Sequence, residues 1–570
     1  MIKYLSIISS NYNKWLYLFV LCAFVNVLLD TFSIIMVLPL LTFLFDVKEN
    51  VGSSFFYKLI ENFFFSFGIY KKENIQIFFL FFFVFIFIIK NIYHIIFIYF
   101  QNKLFSAIEV DIGIRVVKNS LYSDIQMNNE KSTAEIIRDS SSHASIFIIS
   151  FLVPFVQITI EIVTFGLLLL FIGYNYFHET IFITFLLLTI LLLQYFLVRK
   201  KIFLISTNLE IANKLRIKSI IDSQNLFKEI KIFNLYQFFF KEYSKQSFRI
   251  MEIQNTLGLM RVILRPIIET LFIIGICFFI YMILLSDQSV IGTLPKIALF
   301  VLAAIRVIPS VNRLNLNSQR LRASKPVLIS LYSKINNNNF NKTFNKTRKL
   351  SLKSKLKIKN LYFKYPNKNK FLFQNLNLEL KKGKTYFLQG DSGIGKSTFV
   401  EILLGLLKPT SGKILVDNKN IKNNLIGWYK SLSYVPQKAN IIQETLLNNI
   451  LLFSEDNNSE KLVSILNLLN LNNLIKESEE LGRRGAKISG GQVQRIAIAR
   501  AMIKNSDFCV IDEGTAALDS KSEIDIVKKI IDFKTNNIIL FISHKKNLKK
   551  YFDYSLIFQY GKIKKIKNGN

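Results

Sequence analysis

The chain has 570 residues, is 51% hydrophobic and carries 73 basic against 39 acidic residues, a formal net charge of +34. Such a length asks for more than one domain, and such apolar content points away from an ordinary soluble protein and towards the membrane. The excess charge is mostly lysine, accompanied by abundant asparagine, isoleucine and phenylalanine, residue types with AT-rich codons; no groove-reading or aromatic-basic motif accompanies it, so nucleic acid is not expected as a partner.

The opening stretch MIKYLSIISSNYNKW has no apolar core followed by a small-residue cleavage site and reads as an amphipathic lead-in that is retained. Windows long enough to cross about 30 Å of hydrocarbon follow at 15–44, 74–104, 143–173, 179–204, 263–285 and 291–314, which predicts six spans. An even number places both ends on one side. The segment between the fourth and fifth spans carries Arg199, Lys200, Lys201, Lys214, Arg216, Lys218, Lys228 and Lys231 among others, so the positive-inside rule makes it cytoplasmic. The short links at 174–178 and 286–290 have no Lys or Arg, as outer loops should; the first outer loop, with Lys48, Lys58, Lys71 and Lys72, goes against the rule.

Within that loop Phe55, Phe56, Leu59, Ile60, Phe63 and Phe64 recur at helical spacing, which suits a helix lying in the outer interface or a re-entrant tail of the first span. The stretches 105–142 and 205–262 are charged but keep helical periodicity, so the spans are expected to continue into the cytoplasm as helices. Cys22, Cys277 and Cys509 are far apart and predict neither a disulfide framework nor a metal site. A transmembrane domain at 1–320, an asparagine- and lysine-rich linker at 321–350 and a soluble α/β domain at 351–570 complete the outline.

In the last segment an apolar strand, a glycine loop and a helix run through KTYFLQGDSGIGKSTFVEILLGLL. Gly390, Asp391, Ser392, Gly393, Ile394, Gly395, Lys396, Ser397 and Thr398 fit G-x-x-x-x-G-K-[ST] and its continuation, a loop whose backbone N–H groups wrap polyphosphate at a helix N-terminus. Lys396 is expected on the β- and γ-phosphates of ATP and Ser397 on Mg²⁺. Further on, FCVIDEGTAALDS ends an apolar strand in Asp512, which can hold Mg²⁺ through water, and Glu513, which can polarise the attacking water.

Between them stands KISGGQVQRIAIARAM, and this stretch resembles the signature of ATP-binding cassette proteins, usually L-S-G-G-Q. Six spans followed by one such cassette is similar to a half-size exporter over the whole chain. The resemblance implies that Tyr365 of FKYP stacks on adenine, that Gln437 of YVPQ senses the γ-phosphate and helps hold the metal, and that His544 of FISHKK is the switch histidine. It further implies that Ser489, Gly490, Gly491 and Gln492 reach the ATP of a partner cassette and that Asp519 lies in the dimer-contact loop, so that a homodimer in the cell's inner membrane, with its cassettes cytoplasmic, carries two sites. Short coupling helices near 126–137 and 221–233 would pass the motion on. The departures are Ile488 for leucine, DEGTAALD for the common D-E-A-T-S-A-L-D and Lys545 after the histidine where arginine is frequent.

Basic residues also interrupt the spans: Lys90, Arg265, Arg306 and Arg313. One such residue at mid-bilayer costs roughly 2.5–3.5 kcal/mol. These positions and the amphipathic outer loop are similar to bacterial flippases of lipid-linked oligosaccharides, whose cavity cations engage a polyprenyl pyrophosphate. Two other readings stay open for them: snorkelling of Lys90 and Arg313 to an interface, and pairing of Arg265 with Glu269. For the whole chain the alternatives are an exporter of phospholipid, hydrophobic drug or peptide, and an ATP-gated channel or regulator without productive turnover.

Overall fold

The computed structural model describes residues 2–36, 72–122, 133–175, 202–263, parts of 266–281, 308–336 and 348–568, the last with breaks at 367, 369, 453–458, 475–480, 482–487, 516–517 and 560. The chain divides into two compact units, the first ending at Phe340 and the second beginning at Asn341.

The first unit is helical. Its helices include Asn13–Ile35, Lys72–Tyr122, Thr133–Phe147, Val153–Asn175, Phe227–Ile232, Tyr236–Val262 and Lys325–Asn336, with further helix at 202–225 and 308–323. Among the described residues three stretches are long and apolar enough to cross a membrane: Ser10–Ser33, Leu80–Tyr122 and Glu135–Leu170. The predicted spans at 179–204, 263–285 and 291–314 lie wholly or largely outside the described residues, as do the outer-loop helix at 55–64 and most of the first coupling helix.

Helix Lys72–Tyr122 has 51 residues, about 77 Å at 1.5 Å per residue, more than twice the hydrocarbon thickness. The charged stretch up to Tyr122 thus continues the second apolar window as one helix, as its periodicity predicts. Phe19, Phe97, Phe105, Ile108, Phe147 and Phe151 form the core between these helices. Ile148–Leu152 is a π turn, and Pro154, which offers no N–H to the helical ladder, follows at once. Near 221–233, where a coupling helix is expected, the chain breaks after 225 and forms the separate short helix Phe227–Ile232.

The expected linker starts later than its composition suggests. Lys325–Asn336 is helix and belongs to the first unit, because Leu328, Leu331 and Ile335 recur on one face and are all buried. Each contributes roughly 1.5–3 kcal/mol on burial. Lys334 of this helix pairs with the buried Asp139, which also meets Arg138 at 3.1 Å and His143 at 3.1 Å; Glu210 lies 3.6 Å from Arg138. Buried charges persist when paired in this way.

The second unit holds two sheets. A smaller antiparallel sheet is built from β1 (Lys355–Phe363), β2 (Phe373–Lys381), β4 (Ser411–Val416) and β5 (Lys419–Asn420) in the order β2-β1-β4-β5. The larger comprises β3 (Thr385–Gln389), β6 (Leu432–Val435), β7 (Phe508–Asp512), β8 (Ile538–Ile542), β9 (Tyr554–Gln559) and β10 (Lys562–Lys567) in the order β10-β9-β3-β8-β7-β6. Strands β6, β7, β8, β3 and β9 pair in parallel. β7 and β8 are buried at every position, as continuous apolar runs inside a parallel sheet should be.

Candidate nucleotide site

Parallel register assembles the site. Val435 pairs with Ile511, Asp512 with Ile542, and Leu388 with Ile542, so β6, β7, β8 and β3 end together. The loops leaving those ends carry Gln437, Glu513, His544 and the glycine loop. Four segments far apart in the chain thus meet at the carboxyl edge of the sheet, where ligands of parallel sheets bind.

The phosphate loop turns into helix Lys396–Leu403 through Gly395 at φ 108°, left-handed backbone that favours glycine. A Cβ at Gly390 would lie 3.0 Å from both Cβ and the carbonyl oxygen of Phe558, so the loop's entry is closed to side chains. Lys396 is 7% exposed, and its ammonium donates to the carbonyls of Gly390 (2.6 Å) and Asp391 (3.0 Å). Burial lowers its pKa, opposed by the nearby carboxylates of Glu513, Asp391 and Asp512. The cation is thereby curled over its own loop.

Tyr365 shares a hydrogen bond with Thr398, hydroxyl to hydroxyl at 2.8 Å, and its ring stands edge-on to Phe363 at 5.1 Å. This fixes the tyrosine beside the glycine loop. The sequence marks both residues separately, but not the bond that joins them.

The three expected hydrolytic residues come together. Gln437 Nε2 donates to Glu513 Oε2 at 2.7 Å, and His544 Nε2 stands 3.0 Å from Glu513 Oε1. Glu513 adopts φ 49°, left-handed backbone in a residue with a side chain, a conformation that neighbouring contacts must hold in place. Its N–H donates to the carbonyl of Ile542 at 3.0 Å, tying the two loops together.

Asp512 is buried, and its pKa is raised by that burial and by Glu513, while Lys396 and a hydrogen bond from Tyr434 pull it down. Glu401 is raised too, by burial and by Asp512. Tyr434, pushed up to about 12 by burial and by the two acids, remains a donor at any working pH. Tyr434 and Glu401 carry no signal in the sequence. Acids crowded and buried like this favour a hard cation among oxygen ligands, and Ser397, Gln437 and Asp512 offer oxygens only, so the residues fit Mg²⁺. When bound, such an ion neutralises charge between the β- and γ-phosphates.

Ser489 caps helix Gly490–Ile503: its hydroxyl accepts from the N–H of Gln492 at 3.2 Å, and the Gln492 side chain accepts from the N–H of Ser489 at 2.7 Å. Ser489 and Gly490 are exposed, so an anion can approach this N-terminus. Ile488, in place of leucine, packs against the core beneath. Asp519 caps helix Ser520–Phe533 through the N–H of Ser522 at 3.0 Å, contacts that hold its carboxyl below the usual range.

Residues 373–516 match the family model described as ABC transporter. The whole chain superposes on a bacterial Atm1-family ABC exporter with ATP bound, at a TM-score of 0.79 and 18% identity, covering 98% of this chain and 96% of that one. The fold is that of an ABC exporter. The cassette just described is its ATP-binding domain. Among curated relatives, the ATP-dependent lipid A-core flippase of Wigglesworthia glossinidia brevipalpis is 31% identical over 294 residues, which are 50% of this chain and 49% of that protein. ABC transporter B family member 13 of Arabidopsis thaliana is 30% identical over 216 residues, 37% of this chain and 17% of that protein. The chain spans about half the length, or less, of these relatives.

Two of the four basic span residues are described in the helical unit. Lys90 lies 2.9 Å from Asp30, and Arg313 pairs with Glu161 while donating to Ser310 at 3.1 Å. Both cations already have an acid partner on another helix. Arg265 and Arg306 lie outside the described residues.

Proposed function

We propose that the chain is an ATP-driven flippase which, as a homodimer with Mg²⁺, moves a lipid-linked glycan with an anionic head across the cell's inner membrane. The observation that carries the reading is the convergence of Gln437, Glu513 and His544 beside a complete phosphate loop in a chain with an exporter's fold. Glu513 has the position and charge to polarise a water, His544 can hold that carboxylate and the terminal phosphate in register, and Gln437, bonded to Glu513, would hold a bound Mg²⁺ through its side-chain oxygen. An intact trio of this kind argues against the gated channel or regulator without turnover.

The kinship with lipid A-core flippases of Wigglesworthia and of Haemophilus influenzae, the latter 28% identical over 310 residues, supports a phosphorylated glycolipid over a drug or peptide. Within that class a polyprenyl-pyrophosphate oligosaccharide is the reading favoured by the basic span residues. Lys90, Arg265, Arg306 and Arg313 are the candidates to meet the pyrophosphate, arginine's planar fork being suited to phosphate oxygens.

The test is ATP hydrolysis by the purified chain in vesicles containing polyprenyl-pyrophosphate glycan, lipid A or phospholipid alone. The glycan should stimulate hydrolysis severalfold, and Arg306→Ala and Arg265→Ala should abolish that stimulation while basal hydrolysis and ATP affinity stay near wild type. Stimulation by lipid A or phospholipid instead would reassign the substrate; hydrolysis without any lipid response would argue against a flippase.

A further inference from the structure

A buried carboxylate outside the expected trio connects the two loops that carry it. Glu523 lies in the first turn of helix Ser520–Phe533 and is 1% exposed. One of its oxygens accepts from the hydroxyl of Thr515 at 2.7 Å, the other from the ammonium of Lys545 at 2.7 Å. Thr515, itself 1% exposed, stands two residues after Glu513; Lys545 directly follows His544. A lone carboxylate is costly to bury, and this one is satisfied only by spanning both segments.

We propose that Glu523 is a positioning residue for hydrolysis, fixing Glu513 and His544 in one geometry through Thr515 and Lys545. The proposal rests on the reading of the cassette as a hydrolase. Three ties then join the loops: the Glu513 N–H to the Ile542 carbonyl at 3.0 Å, the Glu513 to His544 contact at 3.0 Å, and the Glu523 bridge. The first is backbone and the second belongs to the reacting groups, which must respond to nucleotide. The bridge, unlike the second tie, holds the side-chain-bearing segments together independently of the site's occupancy. It also explains how Glu513 is kept at φ 49°, since Thr515 anchors the chain immediately beyond that residue.

The same helix begins at Asp519, whose side chain caps it. A displacement of that N-terminus would therefore reach both loops through one side chain. Lys545 replaces the more frequent arginine in a place where the bridge asks for a single cationic donor to one oxygen, a task within reach of either residue.

The experiment uses the full chain, purified and reconstituted, with kcat, KM for ATP, affinity for a non-hydrolysable ATP analogue and thermal midpoint measured on each variant. Glu523→Gln and Lys545→Met should each lower kcat at least tenfold with KM and analogue affinity within twofold of wild type. Lys545→Arg should keep at least half of the wild-type kcat. The double variant should be no slower than the slower single one, because either change already opens the bridge. Should Glu523→Gln fail to fold, Thr515→Val against Thr515→Ser tests the same bridge from its other end, the first slow and the second near wild type. The proposal falls if Glu523→Gln turns over at the wild-type rate, if kcat and analogue affinity are lost together, or if the double variant multiplies the two defects. Absence of ATP hydrolysis in the wild-type chain would instead overturn the hydrolase reading, and the bridge's role with it.

Discussion

Gly514 separates the water-polarising Glu513 from Thr515, and a Cβ built there would lie 2.4 Å from Cγ1 of Val435 and 3.3 Å from Cγ2 of Ile511. Val435 is 1% exposed and stands two residues before Gln437, so it has no room to retreat without moving that glutamine. The alanine frequent at this place in the resembling motif is therefore the wrong size here. Gly514→Ala is expected to destabilise the cassette by about 1–3 kcal/mol, the usual cost of overpacking, and to lower kcat severalfold by spreading Glu513 from Gln437. Val435→Ala in the same chain should restore most of both. Thermal denaturation and ATP turnover of the three variants decide it, and a fully active, stable Gly514→Ala protein would show that Val435 can yield.

At the scale of elements, two cassette helices are joined at their ends by one lysine. Lys534 closes helix Ser520–Phe533, and its ammonium, on a residue 6% exposed, donates to the carbonyl of Lys504, which closes helix Gly490–Ile503, and to the Ser506 hydroxyl, each at 2.9 Å. A cation at a helix C-terminus is favourable, but burial pushes its pKa down to about 8, with Cys509 opposing. Below pH 8 the folded and unfolded chains both hold this proton and the full cost of burying the charge is present. Between 8 and the ordinary lysine value the folded state gives the proton up first, so stability attributable to Lys534 rises with pH, by about 3 kcal/mol at most. Denaturant unfolding of the wild type relative to Lys534→Met should show this gain between pH 8 and 10.5 and no slope below 7. A flat difference across the whole range would mean that the lysine is not desolvated.

For the whole molecule, the signature residues Ser489 and Gly490 present an exposed helix N-terminus, as a site completed by a second copy requires. If each ATP lies between Lys396 of one protomer and Ser489 of its partner, location of defects matters. With differently tagged copies, Lys396→Ala on one and Ser489→Arg on the other should leave one intact site and substantial hydrolysis. Both changes on one copy, paired with a wild-type copy, should leave neither site intact and only a few per cent of activity. Sites built within one protomer would give the reverse ranking, which makes purified mixed dimers a sharp test of the assembly.

The nucleotide machinery was readable in advance because its chemistry is local. A glycine loop must be contiguous to wrap phosphate and an acid pair must follow its strand, so Gly390 to Thr398 and Asp512 with Glu513 announce themselves by spacing, whereas Ser489 and Gln492 are marked by resemblance to a signature. Apolar runs likewise determined where helices can enter a bilayer, since hydrocarbon thickness sets their length. Partnership between distant charges has no such signature. Arg313 meets Glu161 across 152 positions, Lys90 meets Asp30, and Glu523 bridges Thr515 and Lys545 only because helices pack and parallel strands end in register. The helix Lys325–Asn336 was hidden for a related reason: its few buried leucines and isoleucine outweigh the linker composition around them only when another helix supplies the surface that covers them. Local pattern determined which chemistry the chain can perform, and tertiary packing decided which charges are free to perform it, because the energy of a buried charge depends on its neighbours in space rather than in sequence.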